Sequence, residues 1–304
     1  MTSFEAAYLA LHRSCELRKR AILAMQSLTD CDLCANRCLV DRLADPERAH
    51  CRTGEQAVVC SVGPHHGEER PLSGRRGSGT IFFGCCNLGC VFCQNYDISH
   101  QAAGEPVSAD QLAEMMLQLQ RQGCHNINFV SPSHVVAQIL AALTIAIPRG
   151  LNRPLVYNSG GYDTLETLNL LDGIFDIYMP DFKFWKPSSA QEYCSVSDYP
   201  EVARAALAAM HRQVGELTVD ASGVALRGLI VRHLVMPEGL EESRAILDFI
   251  ATSLSRDTYV NLMPQYRPCG EAHRWAALSR RLSVAEFEAA ILAAMQAGLR
   301  RLDG

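Results

Sequence analysis

Three cysteines on one short loop set the terms for this chain. Cys86, Cys90 and Cys93 fall in the spacing C-x3-C-x2-C within Gly84–Asn95, directly after the apolar run Thr80-Ile81-Phe82-Phe83. Three thiolates on such a loop can grip three corners of a cubane iron–sulfur cluster, whose protein ligands usually number four. The fourth iron is then open to a small molecule, and an open coordination position separates a catalytic metal site from a closed structural one. Phe92 stands just before the third cysteine, where an aromatic ring can shield a cluster or pack on a bound base. The plain alternative is a zinc knuckle or three ordinary buried thiols, but knuckles pair their cysteines two and two. Cys85-x4-Cys90-x2-Cys93 is a second way to choose the trio. Cys85 reads better as the last residue of the strand, and Cys86 is the expected ligand.

The totals narrow the field. A chain of 304 residues holds one large α/β domain plus an appended piece. Hydrophobic residues make up 48% and charged residues 20%, which argues against extended disorder. A net charge of -5 and a pI near 6.1 exclude a globally basic binder of nucleic acid or anionic lipid. The amino terminus shows no basic region followed by an apolar one and a cleavage site. The longest apolar run, Val135 to Ile147, is interrupted by Gln138 and Thr144 and is too short to span a bilayer. Of the 13 cysteines, seven lie in the two groups 31–51 and 86–93. Clustered cysteines without a secretory address indicate metal ligands in a reducing cytosol rather than disulfides.

Three regions are expected: an amino-terminal helix (1–30), a Cys-rich metal-binding segment with a loop (31–79), and a barrel with a carboxy-terminal helix (80–304). Phe4, Tyr8, Leu11, Cys15, Ile22, Met25 and Leu28 recur at helical spacing and predict one helix over 3–28. The group Cys31-x2-Cys34-x3-Cys38-x12-Cys51 can bind Zn²⁺ or hold a Cys₄ iron–sulfur cluster, structural or electron-conducting in either case. His50 and Cys60 are spare donors. Residues 61–84 are rich in Gly and Pro and read as a loop. Its run Gly74–Thr80 lacks the lysine of a phosphate-binding P-loop and precedes a strand, so that reading fails. The polar quartet His65, His66, Glu68 and Glu69 reads as surface, with a place in a site as the alternative.

After the cysteine loop the periodicity alternates. Helices are expected at 108–122, 135–147, 165–171, 200–214, 240–254 and 283–300, and strands at 80–83, 126–130, 154–157, 174–179, 228–235 and 258–263. A hairpin is expected around Asp220–Gly223. Strands alternating with helices of this length make parallel βαβ units with right-handed crossovers. The fold class is therefore α/β, a partial (β/α)6 TIM-like barrel. In such barrels chemistry gathers at the carboxyl ends of the strands. Those ends read Asn128–His134, Tyr157–Tyr162, Tyr178–Lys183, Arg232–Pro237 and Leu262–Tyr266, each rich in polar side chains. Five polar exits at the cysteine-loop end point to one shared site.

From about residue 31 onward the chain resembles the activating-enzyme side of the radical S-adenosylmethionine (SAM) superfamily, nearest to the PflX-type proteins named for pyruvate formate-lyase activation. Gly67-Glu68-Glu69, Gly77–Phe83, Cys90-Val91-Phe92-Cys93-Gln94-Asn95, Tyr157–Tyr162 and Arg232-His233-Leu234-Val235 carry the match. The x3 spacing fits that superfamily, and the position of Cys85 is often glycine there. The resemblance implies a [4Fe–4S] cluster on Cys86, Cys90 and Cys93 whose free iron chelates SAM. Reductive cleavage then gives a 5′-deoxyadenosyl radical that abstracts hydrogen from a substrate. It implies SAM contacts from Phe92, Asn95, Asn128, Ser131, Ser133, Asn158, Ser159, Asp181, Lys183, His233, Gln265 and Tyr266. Lys183 would pair the methionine carboxylate, with Asp181 orienting it. Two departures stand out: Ser131-Pro132-Ser133-His134 replaces a Gly-Gly-Glu-Pro run, and Met263-Pro264-Gln265-Tyr266 replaces Leu-Pro-Tyr-His.

The expected protein is a cytoplasmic radical SAM oxidoreductase fed by a one-electron donor such as flavodoxin or ferredoxin. Its substrate is a glycyl residue of a partner glycyl radical enzyme, or else a small molecule or peptide. Neither nucleic acid nor membrane is expected as a partner. The reading from another class is a non-catalytic zinc-binding scaffold or metal-delivery protein.

Overall fold

The computed structural model describes residues 4–101 and 103–303. The amino-terminal helix is two helices, α1 (Tyr8–Arg13) and α2 (Glu16–Gln26). Cys15 between them adopts a left-handed backbone with φ 61°, which breaks the single helix expected over 3–28; residue 3 lies outside the described residues. The helical spacing of apolar residues carries across the break, so periodicity alone does not mark it.

The Cys-rich segment leads into β1 (Ala57–His65), the short α3 (Arg70–Ser73) and β2 (Ser78–Phe83). After the cysteine loop come α4 (Tyr96–Gln101), β3 (Glu105–Val107) and α5 (Ala109–Arg121). Ser108 and Gln111 start α5 with a reciprocal capping box. Then follow β4 (Ile127–Val130), α6 (Val136–Ala146), β5 (Leu155–Ser159), α7 (Leu165–Leu171), β6 (Ile177–Pro180), α8 (Pro187–Cys194) and α9 (Tyr199–Val214). The chain finishes with the hairpin β7 (Thr218–Val219) and β8 (Ala225–Leu234), α10 (Leu240–Phe249), β9 (Tyr259–Met263), α11 (Val284–Ala297) and β10 (Arg301–Leu302).

Among the described residues the strands form one sheet in the order β10-β9-β8-β6-β5-β4-β2-β1-β3, with β7 beside β8. From β2 to β10 the neighbours run parallel. β1 and β3 add an antiparallel flank to β2. The expected α/β partial barrel is present, its six core strands being β2, β4, β5, β6, β8 and β9. The segment read as a loop from residue 61 instead continues β1 to His65.

Strand alternation sorts the side chains. Phe83, Phe129, Tyr157, Tyr178 and Val231 pack outward under the helices in the main core. Full burial of such side chains is worth about 1.5–3 kcal/mol each. Val156, Ile177, Met179 and Ile230 face inward and close over Leu72, which the segment after β1 inserts into the barrel. By register, Asn128 lies beside Val156, and Asn158 beside Met179. Arg232 pairs in register with both Asp181 and Asn261. The interior is thus apolar around Leu72 and polar along one side and toward the strand exits.

Candidate active site at the cysteine loop

The loop begins where β2 leaves the sheet. Gly84 donates its N–H to Val58 O (2.8 Å) and Cys85 donates its own to Ile98 O (2.9 Å). Cys85 sits at φ 64°, a left-handed conformation that costs an ordinary residue roughly 1–2 kcal/mol and that glycine adopts freely. Cys85 and Cys86 both border the cavity beneath the loop and differ in their other neighbours. Groups near the Cys85 thiol include Thr53, Arg52, Glu47, Arg42 and Cys60. Cys86 faces the loop: burial first, then its neighbours Cys90 and Cys93, push its thiol up to about 12. Burial and then Cys90 likewise raise Cys93, with Lys183 acting against them. Protonated thiols of this kind ionise when a cation joins them, which is what a cluster's irons supply.

The loop is held from several sides. Val91 N donates to Tyr193 O (3.0 Å), and Glu271 N donates to Val91 O (2.8 Å). Asn87 Nδ2 donates to Tyr162 O at 2.8 Å. Gly160 and Gly161 lie under the loop at the exit of β5. A Cβ on Gly161 (φ 78°) would stand 2.4 Å from Asp181 O, so only glycine fits there. The Tyr199 hydroxyl lies 3.0 Å from Gly160 O and 3.1 Å from Asp181 O, and accepts Lys183 N at 2.9 Å.

A cavity of about 150 Å³ opens beneath, and Cys86, Cys90 and Cys93, together with Cys85, share its walls with Asn95, Ser131, Asn158, Ser159, Gly160, Asp181, Lys183 and Arg232. The carboxylate of Asp181 is divided between two cations, Lys183 Nζ at 2.5 Å and Arg232 Nε at 2.8 Å. Burial alone would raise Asp181, but Arg232 and Lys183 more than offset it and hold the carboxyl below its usual range. For Lys183 burial opposes the charge, and Asp181 followed by Cys90 keeps the ammonium well above its ordinary value. Arg232 also donates to Asn158 Oδ1 at 2.7 Å. The site therefore offers soft sulfur donors on one wall and an ordered ion triad on the other.

The remaining expected site residues divide. Phe92 is buried, edge-on to Phe184 and tilted against Tyr266. Ser131 reaches the cavity on a left-handed backbone (φ 59°) and donates its N–H to Asn158 O. Ser159 gives its hydroxyl to Asp163. Asn128 and Ser133 are buried, and neither lines the cavity; both amide atoms of Asn128 lack a partner, and Ser133 lies beside Tyr157 and Asp163. His233 faces away from the cysteines. Its ring spans Phe182 O and Ser243 Oγ, and it lines a neighbouring 200 Å³ cavity shared with Lys183, Met236 and Leu278. Gln265 is exposed, and the Tyr266 hydroxyl is used on Leu278 O.

Several residues at the site had no role assigned from the sequence, although Arg232, Glu68 and Glu69 stood within the runs that carry the resemblance. Arg232 is the inward neighbour of His233, and the alternation Ile230-Arg232 could have marked it. Cys194, at the end of α8, puts its thiol 3.3 Å from that of Cys90. The polar quartet is not all surface: His65 and His66 are exposed, whereas Glu69 is buried and the Glu68 side chain is only 8% exposed, beside Arg232.

In the amino-terminal group Cys31, Cys34 and Cys51 are buried and Cys38 is partly so. Burial pushes the Cys34 thiol up to about 12 despite hydrogen bonds from Asn36, and Cys51 and Cys31 add to the rise. Donors surround these sulfurs: Arg42 Nη1 on Cys31 (3.3 Å), Asn36 Nδ2 on Cys34 (3.8 Å) and His50 N on Cys38 (3.4 Å). The same Asn36 amide also donates to Asn87 O in the first loop. Among the described residues no three His, Cys, Asp or Glu stand around a single-ion position. No helix among them is long and apolar enough to cross a membrane.

Comparison with known proteins bears on the whole arrangement. A family profile described as the Radical SAM superfamily matches residues 80–224. Uncharacterized protein MJ0674 of Methanocaldococcus jannaschii is 33% identical over 279 residues, covering 88% of this chain and 75% of that protein. Among solved structures, the radical S-adenosylmethionine methyltransferase TsrM of Kitasatospora setae aligns at TM-score 0.45, with 16% identity over 62% of this chain. SuiB of Streptococcus suis, bound to precursor peptide SuiA, aligns at TM-score 0.47, with 10% identity over 72%. Native anSMEcpe with bound AdoMet also gives 0.47, with 8% identity over 72%. The chain spans 36%, 47% and 61% of those three chains respectively. With the profile running through the cysteine loop and the archaeal relative sharing most of its length, the chain belongs to the radical SAM superfamily.

Proposed function

We propose that Cys86, Cys90 and Cys93 hold a [4Fe–4S] cluster and that SAM binds beside it against the Asp181–Lys183–Arg232 triad. The observation that carries this reading is the common cavity wall: the C-x3-C-x2-C cysteines, with Cys85 beside them, line one cavity with an ordered ammonium and guanidinium. When bound, the pair supplies one-electron cleavage of the sulfonium to methionine and a 5′-deoxyadenosyl radical. The residues' own tasks are binding and order. Lys183 offers its ammonium to the methionine carboxylate, Asp181 fixes the rotamers of Lys183 and Arg232, and the exit of β5 supplies polar contacts through Asn158 and Ser159. Phe92 screens the cysteine loop from the side of Tyr266.

The hydrogen donor is a small molecule, a peptide or a glycyl residue of a partner enzyme, and a flavodoxin- or ferredoxin-type protein supplies the electron. Cys31, Cys34, Cys38 and Cys51 hold a second iron–sulfur cluster or Zn²⁺, and the protein works in the cytoplasm. The test is anaerobic reconstitution. Brown protein that releases 5′-deoxyadenosine from SAM with dithionite supports the reading. Alanine at Cys86, Cys90 or Cys93 should abolish release, and alanine at Cys85 should retain it. Colourless protein carrying zinc at both cysteine groups would replace it with the scaffold reading.

A further inference from the structure

We propose that the amino-terminal cysteines carry an iron–sulfur cluster that is the entry port for the reducing electron, with Asn36 and the Asn87–Leu88 peptide as the link to the cluster on Cys86, Cys90 and Cys93. This gives the metal at Cys31, Cys34, Cys38 and Cys51 a task within the function proposed above, and rests on that reading.

The argument starts from one side chain that serves both cysteine groups. The Asn36 amide nitrogen donates one hydrogen to Cys34 Sγ (3.8 Å) and another to Asn87 O (2.5 Å). The peptide unit that begins at Asn87 O ends at Leu88 N, which donates to Cys86 Sγ at 3.4 Å. Cys34 and Cys86, one thiol from each group, are thus the two ends of a continuous hydrogen-bonded path. With about 2.3 Å from oxygen to nitrogen across the peptide, its contour is about 12 Å, an upper bound on the distance between the sulfurs. Electron tunnelling decays exponentially with distance, and hydrogen bonds carry it better than an open gap, so this span suits transfer between two clusters.

A second bridge joins the same two groups. Arg42 Nη1 donates to Cys31 Sγ at 3.3 Å and Nη2 to His134 O at 2.9 Å, while the His134 ring lies 2.9 Å from Gly84 O, where the catalytic loop begins. Arg42 also indicates what the thiols hold. It is 1% exposed, and of its three acceptors Thr53 O and His134 O are neutral. A buried guanidinium needs a compensating anion, which Cys31 supplies as thiolate, the form in which cysteine binds metal. Zn²⁺ gathers four sulfurs at about 2.3 Å around one ion. Among the described residues no three donors converge on such a point in either cysteine group. A cubane instead takes each thiolate on a separate iron.

Exposure sets the direction of flow. Cys86 and Cys93 are partly exposed, but they line the cavity assigned to SAM. Cys38, also partly exposed, stands beside Leu39, which is 63% exposed. The amino-terminal group is therefore the one open to a low-potential one-electron donor. The donor is oxidised by one electron, the amino-terminal cluster is reduced and then reoxidised, and the same electron breaks the carbon–sulfur bond of SAM. No proton or atom moves along the path.

The experiment uses the full chain, reconstituted anaerobically with SAM bound. A flash-generated deazaflavin radical delivers less than one electron per chain, and freeze-quench EPR follows where the electron sits. The parent should hold two iron–sulfur clusters by iron and sulfide analysis and show its first signal at the amino-terminal one. That signal should decay into the loop-cluster signal or into 5′-deoxyadenosine. Asn36→Leu should keep iron content, circular dichroism and SAM affinity by dialysis, and slow this decay at least tenfold. Cys38→Ser should lose the early signal while the loop cluster and SAM affinity remain. Zinc at the amino-terminal group, an electron that reaches the loop cluster first, or an unchanged decay in Asn36→Leu overturns the proposal. Loss of iron from Asn36→Leu also overturns it, because Asn36 would then be a structural tie. A parent with no cluster on Cys86, Cys90 and Cys93 would instead refute the reading of the cysteine loop.

Discussion

The thiol of Cys194 lies 3.3 Å from the thiol of Cys90, buried at the carboxyl end of α8. With Cys90 as a cluster ligand, the neighbouring S–H is a donor to its sulfur, and hydrogen bonds to ligand sulfur raise a cluster's reduction potential. A net hydrogen bond of about 0.5–1.5 kcal/mol corresponds to roughly 20–60 mV for one electron. Cys194→Ala should therefore lower the midpoint potential by that order without removing the cluster. An EPR-monitored redox titration reads it, and an unchanged potential would refute the donor role.

Gly161 is a point where the site tolerates no side chain. Its φ of 78° and the 2.4 Å approach to Asp181 O mean that Gly161→Ala both strains the backbone and pushes the Asp181 strand end aside. A loss of about 2–3 kcal/mol is expected, seen as a lower denaturant midpoint, together with weakened SAM binding in dialysis.

Glu68 gives stability a pH signature. Its folded pKa, about 7, lies above the model-peptide value near 4.5, so between those pH values the folded chain binds a proton that the unfolded chain has released. Stability from this group is full below about 4.5 and declines as pH rises to about 7. Asp176, raised by burial to about 6, slopes the same way at lower pH, and the buried imidazole of His134, lowered by burial to about 3, slopes oppositely. Comparison isolates the one group: melting curves of the parent should fall relative to those of Glu68→Gln between pH 5 and 7.5.

Arg42 is a fully buried arginine that ties three parts of the molecule together. It reaches Cys31 Sγ at 3.3 Å, Thr53 O at 2.6 Å and His134 O at 2.9 Å. Arg42→Ala should destabilise the chain by about 3–5 kcal/mol, because it strands buried acceptors and loses packing. Metal content at the amino-terminal cysteines should fall in the same preparation, measured by elemental analysis.

The parallel strands were legible because each is a nearly continuous apolar run bounded by turn residues, as strands covered on both faces must be. β1 was not. Its far half carries Gly63 and Pro64 and is the outermost strand beyond the reach of β3, where a proline costs no ladder bond, so a strand there reads as a loop. The cysteine trio stood out by local spacing, and Asp181 and Lys183 only through the resemblance; the structure brings all five to one cavity. Arg42 and Cys194 did not stand out, and Glu68 read only as surface or site, because each acquires its partner across the fold: Glu68 meets Arg232, Arg42 meets His134, and Cys194 meets Cys90. His233 drew attention as the polar residue of its strand, yet pleating turns it to Ser243 and presents Arg232 instead.

Because Lys183 and Arg232 divide the single negative charge of Asp181, the triad carries a surplus positive charge, and an arriving carboxylate can take up Lys183 while Arg232 stays with the aspartate. A plain inorganic anion meets the same surplus. A zwitterion also brings a positive end to the oxygen that Asp181 gives up, and so gains on both sides at once. The ion triad thereby ranks dipolar guests above simple salts, and added electrolyte should compete with a bare anion more than with a dipolar one.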